Sequence, residues 1–302
     1  MLPSIQDISN GVVKGDFLLL AKTISKIENK IDGTDVLLES LVPGKAPIIG
    51  ITGPPGAGKS TLIAAMIGYW VNNGKKVAVL SVDPSSPYHH GAILGDRIRM
   101  KDWYLNSNVF IRSLASRGHL GGLNSSMIEL TTLLQSVGFD YIVVETVGVG
   151  QSEVEVASLA DTTIVVLVPE AGDEVQMMKS GLMEIADLFV VNKSDRPDAQ
   201  TFSNHIQQML MDNMKEAAMP KVISMVASQG IGVDDLMLAI EAEKIKPLQD
   251  SRVLNLRMSK LIQLILAQKM SGLDQQDIKN KLKDSLHDNA FNLFAFAKKY
   301  YQ

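Results

Sequence analysis

The sequence predicts an α/β fold, a doubly wound and mostly parallel sheet with helical extensions at its N- and C-terminal ends. Three observations carry this prediction. Short apolar runs recur between about positions 46 and 245, and most are continuously apolar, as parallel strands covered on both faces must be. The intervening stretches, such as 121–137 and 175–186, are long enough for crossover helices, which make the connections right-handed. Finally, a glycine-rich turn joins the first apolar run to a segment with helical spacing, and beyond Pro247 the strand pattern stops.

Taken in order, residues 1–45 read as mainly helical, with Asp16 placed to cap a helix that carries Leu19, Leu20, Ile24, Ile27 and Ile31. Gly33, Pro43, Gly44 and Pro47 then break the chain ahead of the run Ile48-Ile49-Gly50-Ile51-Thr52, which reads as a buried strand. Next comes Gly53-Pro54-Pro55-Gly56-Ala57-Gly58-Lys59-Ser60-Thr61, with the spacing of a phosphate-binding loop: glycine, four residues, then Gly-Lys-Ser/Thr. Leu62, Ile63, Met66, Ile67 and Trp70 follow at helical spacing. The loop through Gly53, Pro55, Gly56, Ala57 and Gly58, with the backbone N–H groups of all but the proline, can therefore wrap a phosphate chain at a helix N-terminus. Lys59 would reach the outer phosphates, and Ser60 would place its hydroxyl on Mg²⁺. The competing reading is a glycine-rich turn, which the strand and helix on either side argue against.

Later strands are expected at 77–82, 109–114, 141–145, 163–168, 188–192 and 222–227. In a doubly wound sheet the ligand lies at their carboxyl ends, so residues just after each strand become candidates. Asn192-Lys193-Ser194-Asp195 follows the fifth of these. Asp195 can accept two hydrogen bonds from guanine N1–H and its exocyclic amine, a donor pair that adenine lacks. Asn192 would brace neighbouring loops and the stem of Lys193 would lie along the base. Ala227-Ser228-Gln229-Gly230 has the form of a short loop that closes over the base edge. Asp83, after the second strand, and Glu145, opening Glu145-Thr146-Val147-Gly148, are positioned to hold Mg²⁺ through water, and Gly148 to give its N–H to a γ-phosphate. Asp96 is a third carboxylate that can approach the metal. Helix caps and turns are the alternative roles for these acids. Val149 stands where many such enzymes place a water-orienting glutamine, so hydrolysis without a partner should be slow.

Composition narrows the classes further. Of 302 residues, 46% are apolar and 21% charged, which supplies a core for one large domain with extensions or for two domains. A net charge of −4 offers no global basic footprint for nucleic acid, and zero cysteines exclude disulfides, iron–sulfur clusters and thiolate metal sites. No apolar run approaches a membrane span and the N-terminus lacks a signal-peptide pattern, so a cytoplasmic protein is expected. After Pro247, Leu254, Met258, Leu261 and Ile265 form one helical stripe beside Ile262 and Leu266. The expected organisation is a helical segment at 1–45, the nucleotide domain at 46–245 and a helical arm at 246–302.

Several stretches together resemble the MeaB/ArgK-type GTPases: Val82-Asp83-Pro84-Ser85-Ser86, Gly95-Asp96-Arg97, Gly118-His119-Leu120-Gly121-Gly122, the run from Glu145 to Glu153, and Gly181-Leu182-Met183-Glu184-Ile185-Ala186-Asp187. The resemblance covers about residues 45–235 and departs at Tyr88-His89-His90, where the family more often has small residues. It implies a slow GTP hydrolase that uses Mg²⁺ and a homodimer built by the C-terminal arm. It also implies a chaperone role, in which GTP gates cofactor loading and protection of adenosylcobalamin-dependent methylmalonyl-CoA mutase or a relative. The family's coupling segment is similar to 172–179, with Gln176 and Lys179 at its polar positions. Because relatives have also been described as kinases linked to basic amino-acid transport, a small-molecule kinase is the alternative. Nickel insertion is a further rival, against which the absent cysteines count.

Overall fold

Each proline- or glycine-bounded apolar run becomes a strand, at Ile48–Thr52 (β1), Val77–Asp83 (β2), Val109–Ala115 (β3), Tyr141–Glu145 (β4), Thr162–Leu167 (β5), Leu188–Val191 (β6) and Lys221–Ser224 (β7). The structure is a computed structural model that describes residues 2–83, 100–115, 126–146, 152–169, 181–214 and 219–243, with Met258, Ile262, Asn280 and Lys281. Among the described residues the strands form one seven-stranded sheet in the order β3-β2-β4-β1-β5-β6-β7, and every pairing is parallel. The expected α/β sheet is therefore present, and wholly parallel.

Burial explains the apolar runs. Every residue of β1, β4, β5 and β6 is buried, which requires helices on both faces. Side chains alternate across the sheet. Ile49, Ile51, Val77, Val79, Val143, Ile164 and Val190 pack in one cluster with Leu62, Ile63, Met66 and Ile67 of α4 (Lys59–Asn72) and with Leu236 and Ile240 of a helix at Val233–Glu243. Val165, Leu167, Phe189 and Val191 face the other way, against Leu182 and Ile185 of the short helix Leu182–Ile185 and Phe202, Ile206 and Leu210 of the helix Ala199–Asn213. Burying one such aliphatic side chain is worth about 1.5–3 kcal/mol, so these two layers are the main source of stability.

The strand order also locates the site. From β1 the chain moves toward β2 and β3 at one edge, returns to β4, then crosses to β5 and runs to β7 at the other edge. The direction of winding reverses around β1, β4 and β5, and a crevice at such a switch point is where open α/β sheets bind ligands.

The N-terminal segment is helical as expected, at Ile5–Lys14 (α1), Leu18–Glu28 (α2) and Thr34–Glu39 (α3). Ser4 and Asp7 form a reciprocal capping box on α1, with Ser4 Oγ accepting the Asp7 N–H at 3.2 Å. Two details differ from expectation. Phe17 is the N-cap of α2, while the Asp16 carboxylate accepts from the Leu18 N–H at 3.0 Å, one residue further out. Ile31 lies past the end of α2 and is 49% exposed. Phe17 stands 5.5 Å from Phe110 and 6.0 Å from Phe139, and Arg112 of β3 donates to Glu28 at 3.0 Å. These contacts lay the helical pair over the β3 edge of the sheet. Met1–Val253 forms one compact unit and Leu254–Gln302 a second, in which Met258 and Ile262 are helical and about half exposed.

Candidate functional site

The loop between β1 and α4 has a shape only its glycines permit. Gly53 has φ +135°, and a Cβ there would run into the carbonyl oxygen of Val166 in the adjacent β5. Gly58, the N-cap of α4, has φ +89°, and its Cβ would strike Nδ2 of Asn192. Both positions combine a left-handed backbone with a close neighbour, so any side chain displaces the loop. The loop exposes Pro55 and Gly56 and buries Ala57. Lys59 is only 7% exposed, and its ammonium donates to the carbonyls of Gly53 at 2.8 Å and Pro54 at 3.1 Å. A positive charge is thereby held over the loop at the N-terminus of a 14-residue helix, the arrangement that attracts phosphate. Thr61 follows in the first turn of α4, half-buried.

Beneath the loop is a buried polar cluster. Ser60 Oγ donates to Glu145 Oε1 at 2.9 Å, and Ser81 Oγ donates to Glu145 Oε2 at 3.1 Å. Thr146 Oγ1 is bonded to Thr52 Oγ1 at 3.0 Å, tying the chain after β4 to the end of β1. Glu145 is 4% exposed and Ser60 2%. Oxygen donors packed at a phosphate loop suit a hard divalent cation such as Mg²⁺, so Ser60 and Glu145 fit the metal that the sequence suggests. Among the described residues no group of three or more His, Asp or Glu is gathered to hold a metal by itself. Asp83 closes β2 at the same carboxyl edge, adjacent to β4.

On the other side of the loop, Asn192 follows β6. Its Nδ2 donates to the Ala57 carbonyl at 2.9 Å and its Oδ1 accepts the Ala227 N–H at 3.1 Å. One buried carboxamide therefore ties the glycine loop to the turn Ala227–Gln229, a single 3-10 turn in which Ser228 and Gln229 are exposed. Lys193, with φ 56°, reaches back to donate to the Gly56 carbonyl at 2.9 Å. Ser194 N–H donates to Met225 O at 2.9 Å and Arg196 N–H to Lys193 O at 3.0 Å, folding the turn that presents Asp195 to solvent.

The carboxyl ends of four parallel strands, β1, β4, β6 and β7, thus bring Gly53, Lys59, Ser60, Glu145, Asn192, Lys193 and Ala227 to one edge of the sheet. Asp96 and Gly148 lie outside the described residues, as do Val149, Gln176 and Lys179 and the side chain of Asp83. Sequence reasoning missed Ser81, Thr52 and Thr146. Ser81 continues the buried row of Val77 and Val79, and it is the β2–β4 register that sets its hydroxyl against Glu145.

Residues 20–280 match the family model described as methylmalonyl Co-A mutase-associated GTPase MeaB. A candidate GTPase of Pyrococcus horikoshii is 44% identical over 247 residues, which is 80% of this chain and 78% of the relative. GTPase ArgK of Escherichia coli is 38% identical over 244 residues, 75% of this chain and 72% of that protein. Among solved structures, one described as the LAO/AO transport system kinase superposes with a TM-score of 0.65 at 25% identity, covering 98% of this chain and 96% of that one.

Proposed function

The chain belongs to the MeaB family of P-loop GTPases, and from that premise we propose that its GTP cycle gates adenosylcobalamin loading and protection of a methylmalonyl-CoA mutase or a related mutase. The observation that carries the nucleotide assignment is the Asn192 carboxamide, which joins the glycine loop to the Ala227 turn beside Asp195. A phosphate cradle and a base-reading turn held as one piece suit a whole guanosine nucleotide better than an isolated phosphate.

In this reading the backbone from Gly53 to Thr61 wraps the α- and β-phosphates, and Lys59 turns its ammonium to the β- and γ-phosphates. Asp195 pairs with guanine, Lys193 lies along the base, and Ala227, Ser228 and Gln229 close over its edge. Water attacks the γ-phosphorus, the bond to the β-phosphate oxygen breaks, and GDP and phosphate leave. Lys59 and the loop N–H groups meet the charge that this transfers to the leaving group. Mg²⁺, when bound, would supply positive charge against the phosphates, and Ser60, Asp83, Asp96 and Glu145 are the residues that would hold it. Gly148 gives its N–H to the γ-phosphate. Val149 offers no polar atom to orient water, so the chain alone turns over slowly. GTP turnover measured with and without methylmalonyl-CoA mutase tests the proposal.

We assign residues 1–45 to a helical segment, 46–245 to the GTPase domain and 246–302 to a dimerisation arm, in a cytoplasmic protein without nucleic-acid or membrane partners. Among the described residues no helix is long and apolar enough to cross a membrane. Met258 and Ile262 are one helical turn apart and each about half exposed, which leaves an apolar face for a second copy. Light scattering of the full chain should give twice the monomer mass; a monomer at micromolar concentration refutes the arm's role. The solved structure at 25% identity is described as a transport system kinase, so a kinase acting on a small molecule such as a basic amino acid is the second reading. Transfer of labelled γ-phosphate to an amino acid would favour it, whereas release as free phosphate favours hydrolysis.

A further inference from the structure

Ser81 is a buried hydroxyl in a row that is otherwise apolar. Val77, Val79 and Ser81 share one face of β2 and all three are 0% exposed. A hydroxyl so placed costs stability unless it is bonded, and here it donates to Glu145 Oε2 at 3.1 Å. The partner is set by register, since Ser81 lies opposite Glu145 across the β2–β4 pair. The same carboxylate accepts the Ser60 hydroxyl on its other oxygen at 2.9 Å. Glu145 is therefore gripped from β2 on one side and from the first turn of α4 on the other.

The grip has a chemical consequence. A serine hydroxyl carries one proton and two lone pairs. With its proton committed to Glu145 Oε1, Ser60 turns its lone pairs away from the carboxylate. Rotation of the Glu145 carboxylate would move Oε1 and carry the Ser60 hydroxyl with it, and the bond from Ser81 to Oε2 opposes that rotation. We infer that Ser81 is a positioning residue which, through Glu145, orients the Ser60 hydroxyl toward the divalent cation of the nucleotide complex. The inference rests on the reading of Ser60 as a ligand to that cation. Groups that orient ligands in this way typically change metal affinity or activity about 10- to 100-fold when removed.

The test uses the full-length protein, with Mg²⁺ as the probe. Fluorescent GDP dissociation is followed as Mg²⁺ is titrated, alongside GDP affinity in chelator, GTP turnover against Mg²⁺ and thermal unfolding. In Ser81→Ala the Mg²⁺ midpoint for slowing GDP release should rise about 10-fold, while GDP affinity in chelator stays within about twofold. Ser81→Thr, which restores the hydroxyl, should return the midpoint to within about threefold of wild type. If Ser81→Ala does not fold, Ser81→Cys, a weaker donor of similar shape, is held to the same thresholds. A folded Ser81→Ala whose midpoint matches wild type overturns the inference, whatever its thermal stability, because a hydroxyl that merely fills a core site leaves the Mg²⁺ midpoint unmoved. In that case Mg²⁺-dependent turnover of the wild type keeps the reading of Ser60 intact. A wild type whose GDP release and turnover ignore Mg²⁺ removes both.

Discussion

Lys59→Ala should lower GTP turnover by at least about 10²- to 10³-fold, the scale on which losing one preorganised group facing developing charge acts. The lysine is 93% buried by exposure, and its ammonium sits on the Gly53 and Pro54 carbonyls at the mouth of the loop. Its removal has two separable effects. The two carbonyls lose a charged donor, which costs roughly 1–3 kcal/mol of stability, a loss that a domain stable by about 5–15 kcal/mol survives. The phosphates would lose their nearest fixed cation, for which nothing else in the loop substitutes, since its remaining donors are uncharged N–H and hydroxyl groups. Turnover and thermal unfolding measured on the same preparation separate the two. A folded Lys59→Ala protein that keeps turnover within tenfold of wild type would remove the loop from the chemistry.

Asp195→Asn should weaken GTP binding about 10²-fold or more and shift preference toward xanthosine triphosphate. A site that pairs with specific substrate donors rejects analogues strongly because its own polar group is left unpaired. The carboxylate offers two acceptors to guanine N1–H and the exocyclic amine; asparagine replaces one acceptor with an NH₂ that faces a guanine donor. Xanthine carries an oxygen where guanine has the amine, and that oxygen accepts from the new amide. Asp195 is exposed on its turn, so stability should change by no more than about 0.5 kcal/mol. Competition binding with GTP, ATP and xanthosine triphosphate decides the matter: wild type holding ATP as tightly as GTP, or a variant with unaltered preference, sinks the assignment.

The fold was legible because burial on both faces leaves a plain mark. Ile48–Ile51, Tyr141–Val144 and Leu188–Val191 carry no charged or hydroxyl-bearing aliphatic residue, and each lies in a strand within a residue or so of its apolar run. Strand ends were less legible. β7 stops at Ser224 although Met225 still donates to Val191 O at 2.8 Å; Val226 turns to bridge Ile231, and Ala227 belongs to a 3-10 turn instead. Ile31 was misread for a related reason: helical spacing continued past α2, but spacing alone cannot tell an exposed isoleucine from a buried one. At the site, the loop and Asn192 announce themselves through residue types that few other roles require. Ser81 does not, because a serine at the end of an apolar run is unremarkable until the β2–β4 register sets it against Glu145. The threonine pair Thr52 and Thr146 was hidden likewise, being joined only by the β1–β4 pairing.

The central proposal is that hydrolysis is coupled to a mutase, through a two-state arrangement that both GTP and mutase bias. The most direct test is steady-state GTP turnover of the full-length protein, alone and with an adenosylcobalamin-dependent methylmalonyl-CoA mutase, for wild type and for a variant carrying Gln176→Ala and Lys179→Ala. The expected result is slow turnover alone, acceleration of wild type by mutase, and loss of most of that acceleration in the variant with basal turnover spared. Equal stimulation of both proteins would show that this segment is not the coupler, and turnover of wild type that mutase leaves unchanged would contradict the coupling itself.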